Sequence, residues 1–162
     1  MTGTLALARR VVTALTERGQ TVAVAESLTG GLLAAALVEV PGASAVFRGG
    51  VVAYATDLKV TLLGVPAALL DRHGAVHPEV AAAMADGVRT RLNATFGLAT
   101  TGVAGPDPAD GQPVGVVFIA VSSPVGQAPQ GLRLDGDRAA IRQQTVVMSL
   151  KQLAVMLGDT GS

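Results

Sequence analysis

The stretch Val114 to Val121 reads VGVVFIAV and is apolar at almost every position. A strand with one face in water alternates apolar and polar residues. A strand without that alternation is covered on both faces, as in the centre of an α/β sheet. The surrounding uncharged stretch, between Asp110 and Arg133, fails as a membrane helix because Pro113, Gly115, Ser122, Ser123, Pro124, Gly126, Gln127 and Pro129 break it up. A doubly covered strand needs a helical layer above and below it, and the rest of the chain supplies both.

Leu5, Ala8, Val12 and Leu15 recur on one helical face, and Gly19 closes that helix. Thr21 to Ala25 is short and β-rich. It leads through Ser27 to Gly31 into a helix-forming run that reaches Val38 and ends at Pro41-Gly42. Val46 to Tyr54 predicts a second strand with an irregularity at Gly49-Gly50. Short helices are expected over 57–63, stopped by Gly64, and over 66–72. Pro78 opens a longer one in which Val80, Met84, Val88 and Leu92 repeat every four residues. Phe96 to Thr100 is a strand, Gly131 to Leu134 an edge strand, and Asp137 caps a final helix containing Ile141, Met148 and Val155. This alternation predicts an α/β fold: a three-layer α/β/α sandwich with a mostly parallel, mixed sheet, as one domain over residues 1–162.

Composition narrows the function classes. The chain has 162 residues, of which 49% are hydrophobic and 15% charged, which excludes intrinsic disorder. Twelve basic and 12 acidic residues cancel, so no electrostatic footprint for nucleic acid is present. Aromatic residues are 2%, too few for base-stacking platforms. No cysteine is present, which rules out thiolate catalysis and cysteine-based metal centres. The N-terminal MTGTLALARR lacks the order of a signal peptide. A mean hydropathy of +0.48 therefore goes with a buried core, and a cytoplasmic protein with no membrane partner is expected. The Ala- and Val-rich surface suggests a homo-oligomer.

Four segments carry candidate chemistry. In Glu26-Ser27-Leu28-Thr29-Gly30-Gly31, a hydroxyl at a strand-to-helix turn lies beside backbone N–H groups suited to an oxyanion or phosphate. The same Ser27 or Thr29 would equally serve as a helix N-cap. In Tyr54-Ala55-Thr56-Asp57-Leu58-Lys59, the single Tyr precedes a Lys in apolar company. Burial lowers a lysine pKa and makes it a base for a serine hydroxyl; the alternative is a surface lysine laying its stem along apolar neighbours. Thr100 to Asp107 forms a small-residue loop after a strand, where open α/β sheets bind ligands or simply turn. Arg138 and Arg142, four apart on one helix, form either an anion clamp or a solvated face. His73 and His77 make a weak metal pair, because the sequence offers no convincing third ligand and Gly74 separates them at a helix gap. Together these segments suggest a serine hydrolase acting on a small anionic substrate.

The segments AESLTGG, RGGVVAYATDLKVTLLGV, HGAV, TGVAGPD, PVG and GDRAAIRQQT stand in the order and spacing of the CinA C-terminal domain family, which this chain resembles from about Leu5 to Leu157. The resemblance implies hydrolysis of the carboxamide of nicotinamide mononucleotide to nicotinic acid mononucleotide and ammonia, without metal or cofactor. It implies Ser27 as nucleophile, Lys59 as its base, and Tyr54 assisting proton transfer or orienting the pair. Thr29, Gly30 and Gly31 would neighbour the reacting centre, Thr101, Gly102 and Gly105 would line the pocket, and Arg142, with Arg138, would bind the substrate. The chain departs from the family pattern in three places. His77 stands where GAVS is common, Pro108-Ala109 stiffens the loop where GPDGG is common, and Gln112 stands where a lysine is common. These differences bear on affinity and specificity and leave Ser27 and Lys59 in place. The family also has two-domain members with a nucleotide-pyrophosphatase-like domain, which is not expected here. Two further functions fit the pattern: a non-catalytic nucleotide-binding or regulatory module, and an amidohydrolase of a different amide.

Overall fold

The computed structural model describes residues 2–159 and 161. In chain order the elements are α1 (Thr2–Arg18), β1 (Val22–Glu26), α2 (Leu32–Val38), β2 (Phe47–Val52), α3 (Thr56–Leu63), α4 (Ala67–His73), α5 (Pro78–Arg91), β3 (Phe96–Gly102), β4 (Val116–Ser123), β5 (Gly126–Arg133) and α6 (Arg138–Met156). The five strands form one sheet in the order β2-β1-β3-β4-β5. β1 runs parallel to β2 and β3, whereas β4 is antiparallel to β3 and β5. This is the expected mixed sheet between two helical layers.

The two faces of the sheet are packed differently. Val22, Val24, Leu98 and Val121 point to one side and join α1, α2 and α6 in a core of large aliphatic side chains. Their neighbours Ala23, Ala25, Ala99 and Ala120 point to the other, where α3, α4 and α5 lie. Small side chains let α5 come close. A Cβ on Gly97 would fall 2.1 Å from the Ala85 carbonyl oxygen, and one on Gly87 would fall 1.9 Å from that of Leu63. Period-two alternation along β1 thus sets both the thickness of one layer and the proximity of the other.

Two expected boundaries move. The apolar strand begins at Val116, because the Gly115 amide bonds to the Val103 carbonyl (2.8 Å) in a turn with Pro113 and Val114. β5 starts at Gly126 and pairs with β4 at eight positions, although Gln127, Pro129 and Gln130 gave it a loop-like sequence. Within α6, Ile141 is buried whereas Val155 is 69% exposed. As expected, Asp137 caps α6, its Oδ1 accepting the Ala140 amide at 2.9 Å.

Among the described residues, no helix is long and apolar enough to cross a membrane. The crossover from β1 to β2 runs through α2 on one face, and that from β2 to β3 runs through α3, α4 and α5 on the other. The carboxyl end of β1 is therefore the point where the connections diverge, and there a crevice opens.

Candidate active site

A cavity of about 230 Å³ lies at that point. Its wall includes Ser27 and Leu28 after β1, Tyr54, Thr56 and Lys59 after β2, Thr101 and Gly102 at the end of β3, and Arg138 at the start of α6.

Ser27 is positioned by the strand beside it. Its amide donates to the Thr100 carbonyl at 3.1 Å, extending the β1–β3 ladder by one residue. The turn that follows is built without using the Ser27 hydroxyl. Gly30 and Gly31 have φ of 56° and 106°, left-handed values that a side chain would strain. The cap of α2 comes from Glu26, which is 1% exposed. Its two carboxylate oxygens accept the amides of Leu33 (2.9 Å) and Ala34 (3.0 Å). A carboxylate at a helix N-terminus satisfies orphan donors and meets the positive end of the dipole. The expectation that Ser27 or Thr29 caps this helix is thereby corrected. Thr29 is buried with its hydroxyl on that of Thr100 (2.8 Å).

Lys59 has no exposed surface. Its Nζ lies 2.7 Å from the Ala53 carbonyl oxygen, 3.4 Å from that of Tyr54 and 3.1 Å from Ser27 Oγ. Both carbonyls only accept. A neutral amine has two N–H donors and one lone pair. In that form two carbonyls occupy the donors and the lone pair is left for the Ser27 hydroxyl, whereas the ammonium form donates to all three oxygens. Burial lowers the Lys59 pKa to about 8, with the Asp110 carboxylate opposing. The apolar context of Lys59 in sequence thus corresponds to a buried side chain rather than a surface one.

The remaining expected residues divide. Thr101 donates to the Ala75 carbonyl at 2.7 Å and, with Gly102 and Gly105, lines the cavity. Gly102 is required by packing, since a Cβ there would meet Val117 Cγ2 at 2.7 Å. Gly30 and Gly31 lie outside the lining, and the Gly30 amide is already committed to the Ser27 carbonyl (3.1 Å). Tyr54 is 61% exposed, and its hydroxyl meets Arg138 Nη2 at 3.4 Å; it is the Tyr54 carbonyl that contacts Lys59. Arg138 also donates to the Gly105 carbonyl at 2.7 Å and borders the cavity. Arg142 does not border it. Its guanidinium donates to the carbonyls of Leu28 (2.8 Å) and Thr29 (3.3 Å), holding the nucleophile turn from behind. The two arginines share a helix face but do different work.

Two features of the rim go beyond what the sequence showed. Ala109 and Gln112 exchange backbone hydrogen bonds (3.2 and 2.9 Å) around Asp110 and Gly111, whose φ values are 50° and 72°. Asp-Gly with both φ positive is a type I′ turn. It presents Asp110 to the cavity and against Gly74. At the neighbouring corner, the rings of His73 and His77 stack with centroids 3.7 Å apart, and Glu79 joins them. His77 Nδ1 accepts the Glu79 amide at 3.2 Å and caps α5. Burial and the adjoining His73 hold His77 below the usual histidine pKa, against the pull of Glu79.

The comparisons agree with this fold. The model of the CinA C-terminal domain matches residues 4–157. The chain belongs to that family. A CinA-like protein of Frankia casuarinae is 55% identical over 143 residues, covering 88% of this chain and 33% of that protein. A CinA-like protein of Parasynechococcus marenigrum is 53% identical over 148 residues, covering 88% and 35%. The chain therefore spans about one third of the length of these relatives. The crystal structure of a CinA superfamily protein from Klebsiella pneumoniae 700603 superposes with a TM-score of 0.93 at 35% identity, covering 96% of this chain and 98% of that one. The competence/damage inducible protein CihA from Agrobacterium tumefaciens gives 0.91 at 40% identity, covering 96% of each chain.

Proposed function

We propose that this CinA-family domain hydrolyses the carboxamide of nicotinamide mononucleotide, giving nicotinic acid mononucleotide and ammonia. The observation that carries the proposal is the coordination of Lys59 Nζ: two carbonyls and one serine hydroxyl around a fully buried amine. A purely binding module has no use for a lysine held that way. In the reaction, neutral Lys59 accepts the Ser27 proton as Oγ attacks the amide carbon. Backbone amides of the nucleophile turn stabilise the oxyanion, and the proton passes to the departing ammonia. Water activated by the same lysine then cleaves the acyl-enzyme.

The charges of the cleft suit this substrate. Nicotinamide mononucleotide carries a cationic pyridinium ring next to the amide and an anionic phosphate at its far end. Asp107 and Asp110 supply negative charge in the cavity wall, and Arg138 supplies positive charge at the rim. The turned-in 108–112 loop therefore complements a cationic amide.

The test is ammonia release from nicotinamide mononucleotide by untagged protein, with Ser27→Ala and Lys59→Met alongside. Release by the parent protein, lost by about 10³-fold or more in both variants, is expected. Saturable binding of the nucleotide without ammonia release would overturn the proposal and leave a nucleotide-binding module.

A further inference from the structure

The chain has two histidines, and the fold stacks them against each other at the α4–α5 corner. Their sequence separation alone gave no third ligand. The structure supplies one. Donor atoms of His73, His77 and Glu79 all lie within 4.8 Å of one another. The corner is possible because Gly74, at φ 72° and ψ −174°, turns the chain sharply after α4 and returns it at His77. We propose that His73, His77 and Glu79 form a site for a divalent transition metal ion, built into the outside of the cleft wall.

Two imidazoles and one carboxylate suit Zn²⁺, Co²⁺ or Ni²⁺ rather than Mg²⁺ or Ca²⁺, which prefer all-oxygen shells. Three protein ligands leave further positions for water. The stacked rings are not themselves the bound arrangement. Lone pairs in two parallel planes 3.7 Å apart do not converge on one ion. Ring rotation about Cβ–Cγ, a soft torsion in histidine, brings the nitrogens together. Binding through either nitrogen of His77 disturbs its Nδ1 bond to the Glu79 amide, so the ion competes with the N-cap of α5. The site is distinct from Ser27 and Lys59. Neither histidine lines the cavity, whereas Ala75 and Val76 between them do. An ion there pins the segment that receives the Thr101 hydroxyl and tightens the wall, taking no part in the hydrolysis.

Cobalt titration of untagged, chelator-treated protein tests the site, because Co²⁺ in a histidine–carboxylate shell of low coordination number absorbs in the visible. A saturable absorption with one equivalent is expected. His77→Asn retains an N-capping side chain but removes the imidazole, and His73→Gln removes the other. Each should weaken binding about 10- to 100-fold, and Glu79→Gln should follow them. Zn²⁺ at a hundredfold excess over its Kd should raise Tm by on the order of 5 °C, and Mg²⁺ should leave Tm unchanged. Absence of saturable cobalt absorption, or binding of equal strength in His73→Gln and His77→Asn, would overturn the proposal.

Discussion

At the floor of the cleft, Lys59 is wholly buried, Ser27 is 9% exposed, and the backbone groups that hold them lie on β3 and on the short connection from β2 to α3. At the rim, Tyr54 is 61% exposed and its hydroxyl makes one long hydrogen bond, and Asp110 sits at the tip of a two-residue turn. The floor is held by bonds out of water, where each is worth most and the loss of one leaves an unsatisfied partner. The rim is held by bonds that water replaces at little cost. Chemistry placed at the floor is therefore intolerant of substitution, whereas the rim is free to vary and to set which molecule enters. The 108–112 loop and His77, where this chain departs from its family's common pattern, both lie at or beside the rim.

The contrast is tested most severely at Lys59. Lys59→Met keeps the stem and removes the amine, and the proposed amide hydrolysis should fall by about 10³-fold. In the parent protein, the rate should rise tenfold per pH unit below about 8 and level off above it, because only the neutral amine accepts the serine proton. Stability carries the same signature. The folded chain holds Lys59 at about 8 and the unfolded chain near 10.5, so between these values only the unfolded state binds the proton. Stability should therefore rise as pH goes from about 8 to about 10.5, by roughly 3 kcal/mol at most. Below pH 8 that cost is present in full. Denaturation across this window, on the parent and on Lys59→Met, checks the sign. A variant that keeps the same slope would place the titration elsewhere.

Glu26 extends the comparison to a residue with no part in the reaction. Glu26→Ala strips the cap from α2 and leaves the Leu33 and Ala34 amides without acceptors. A loss of about 2–3 kcal/mol is expected, read as a drop in Tm. Glu26→Gln keeps one amide acceptor and should lose less. Equal Tm for both variants would show that the carboxylate's second oxygen decides the capping.

What was legible in the sequence follows the same division. A hydroxyl at a strand-to-helix turn and a lysine among leucines and valines are local signals; they made Ser27 and Lys59 candidates beside a helix cap and a surface lysine, and the family resemblance chose between these readings. The sheet's alternation and the helix starts at Pro78 and Asp137 are local too. The cap of α2 was not found, because its carboxylate reaches back from Glu26, seven and eight residues before the amides it binds. The third member of the histidine cluster depended on the Gly74 backbone angles, which the sequence does not display. β5 was read short because its polar residues face away from any core, and pairing with β4 formed the strand regardless. Arg138 and Arg142 were indistinguishable by spacing. Their partners, the Gly105 carbonyl and the Leu28 carbonyl, lie on different loops.

At the rim, Asp110→Asn should act through charge alone. 1-Methylnicotinamide and nicotinamide differ by one charge at nearly constant shape. In the Ser27→Ala background, the preference for the cationic amide should fall about tenfold when Asp110 is neutralised, with binding of nicotinamide unchanged. Equal weakening of both amides would make Asp110 a structural residue of the turn. The substitution also removes the charge that opposes the burial of Lys59, so the pH profile should shift to lower pH.

The smallest effect is expected at Tyr54. Its hydroxyl makes one bond of 3.4 Å, to Arg138 in an exposed setting, and bonds of this kind contribute under about 0.5 kcal/mol. Tyr54→Phe should therefore leave Tm within about 1 °C of the parent. The carbonyl that contacts Lys59 belongs to the backbone and survives the substitution. If the rate also stays within threefold, the tyrosine's contribution to the floor is its main chain, and its ring belongs to the rim. A tenfold fall in kcat with KM unchanged would mean that the ring swings inward once substrate is bound and that its hydroxyl joins the proton path. That single result would move Tyr54 from the variable part of the cleft to the fixed part.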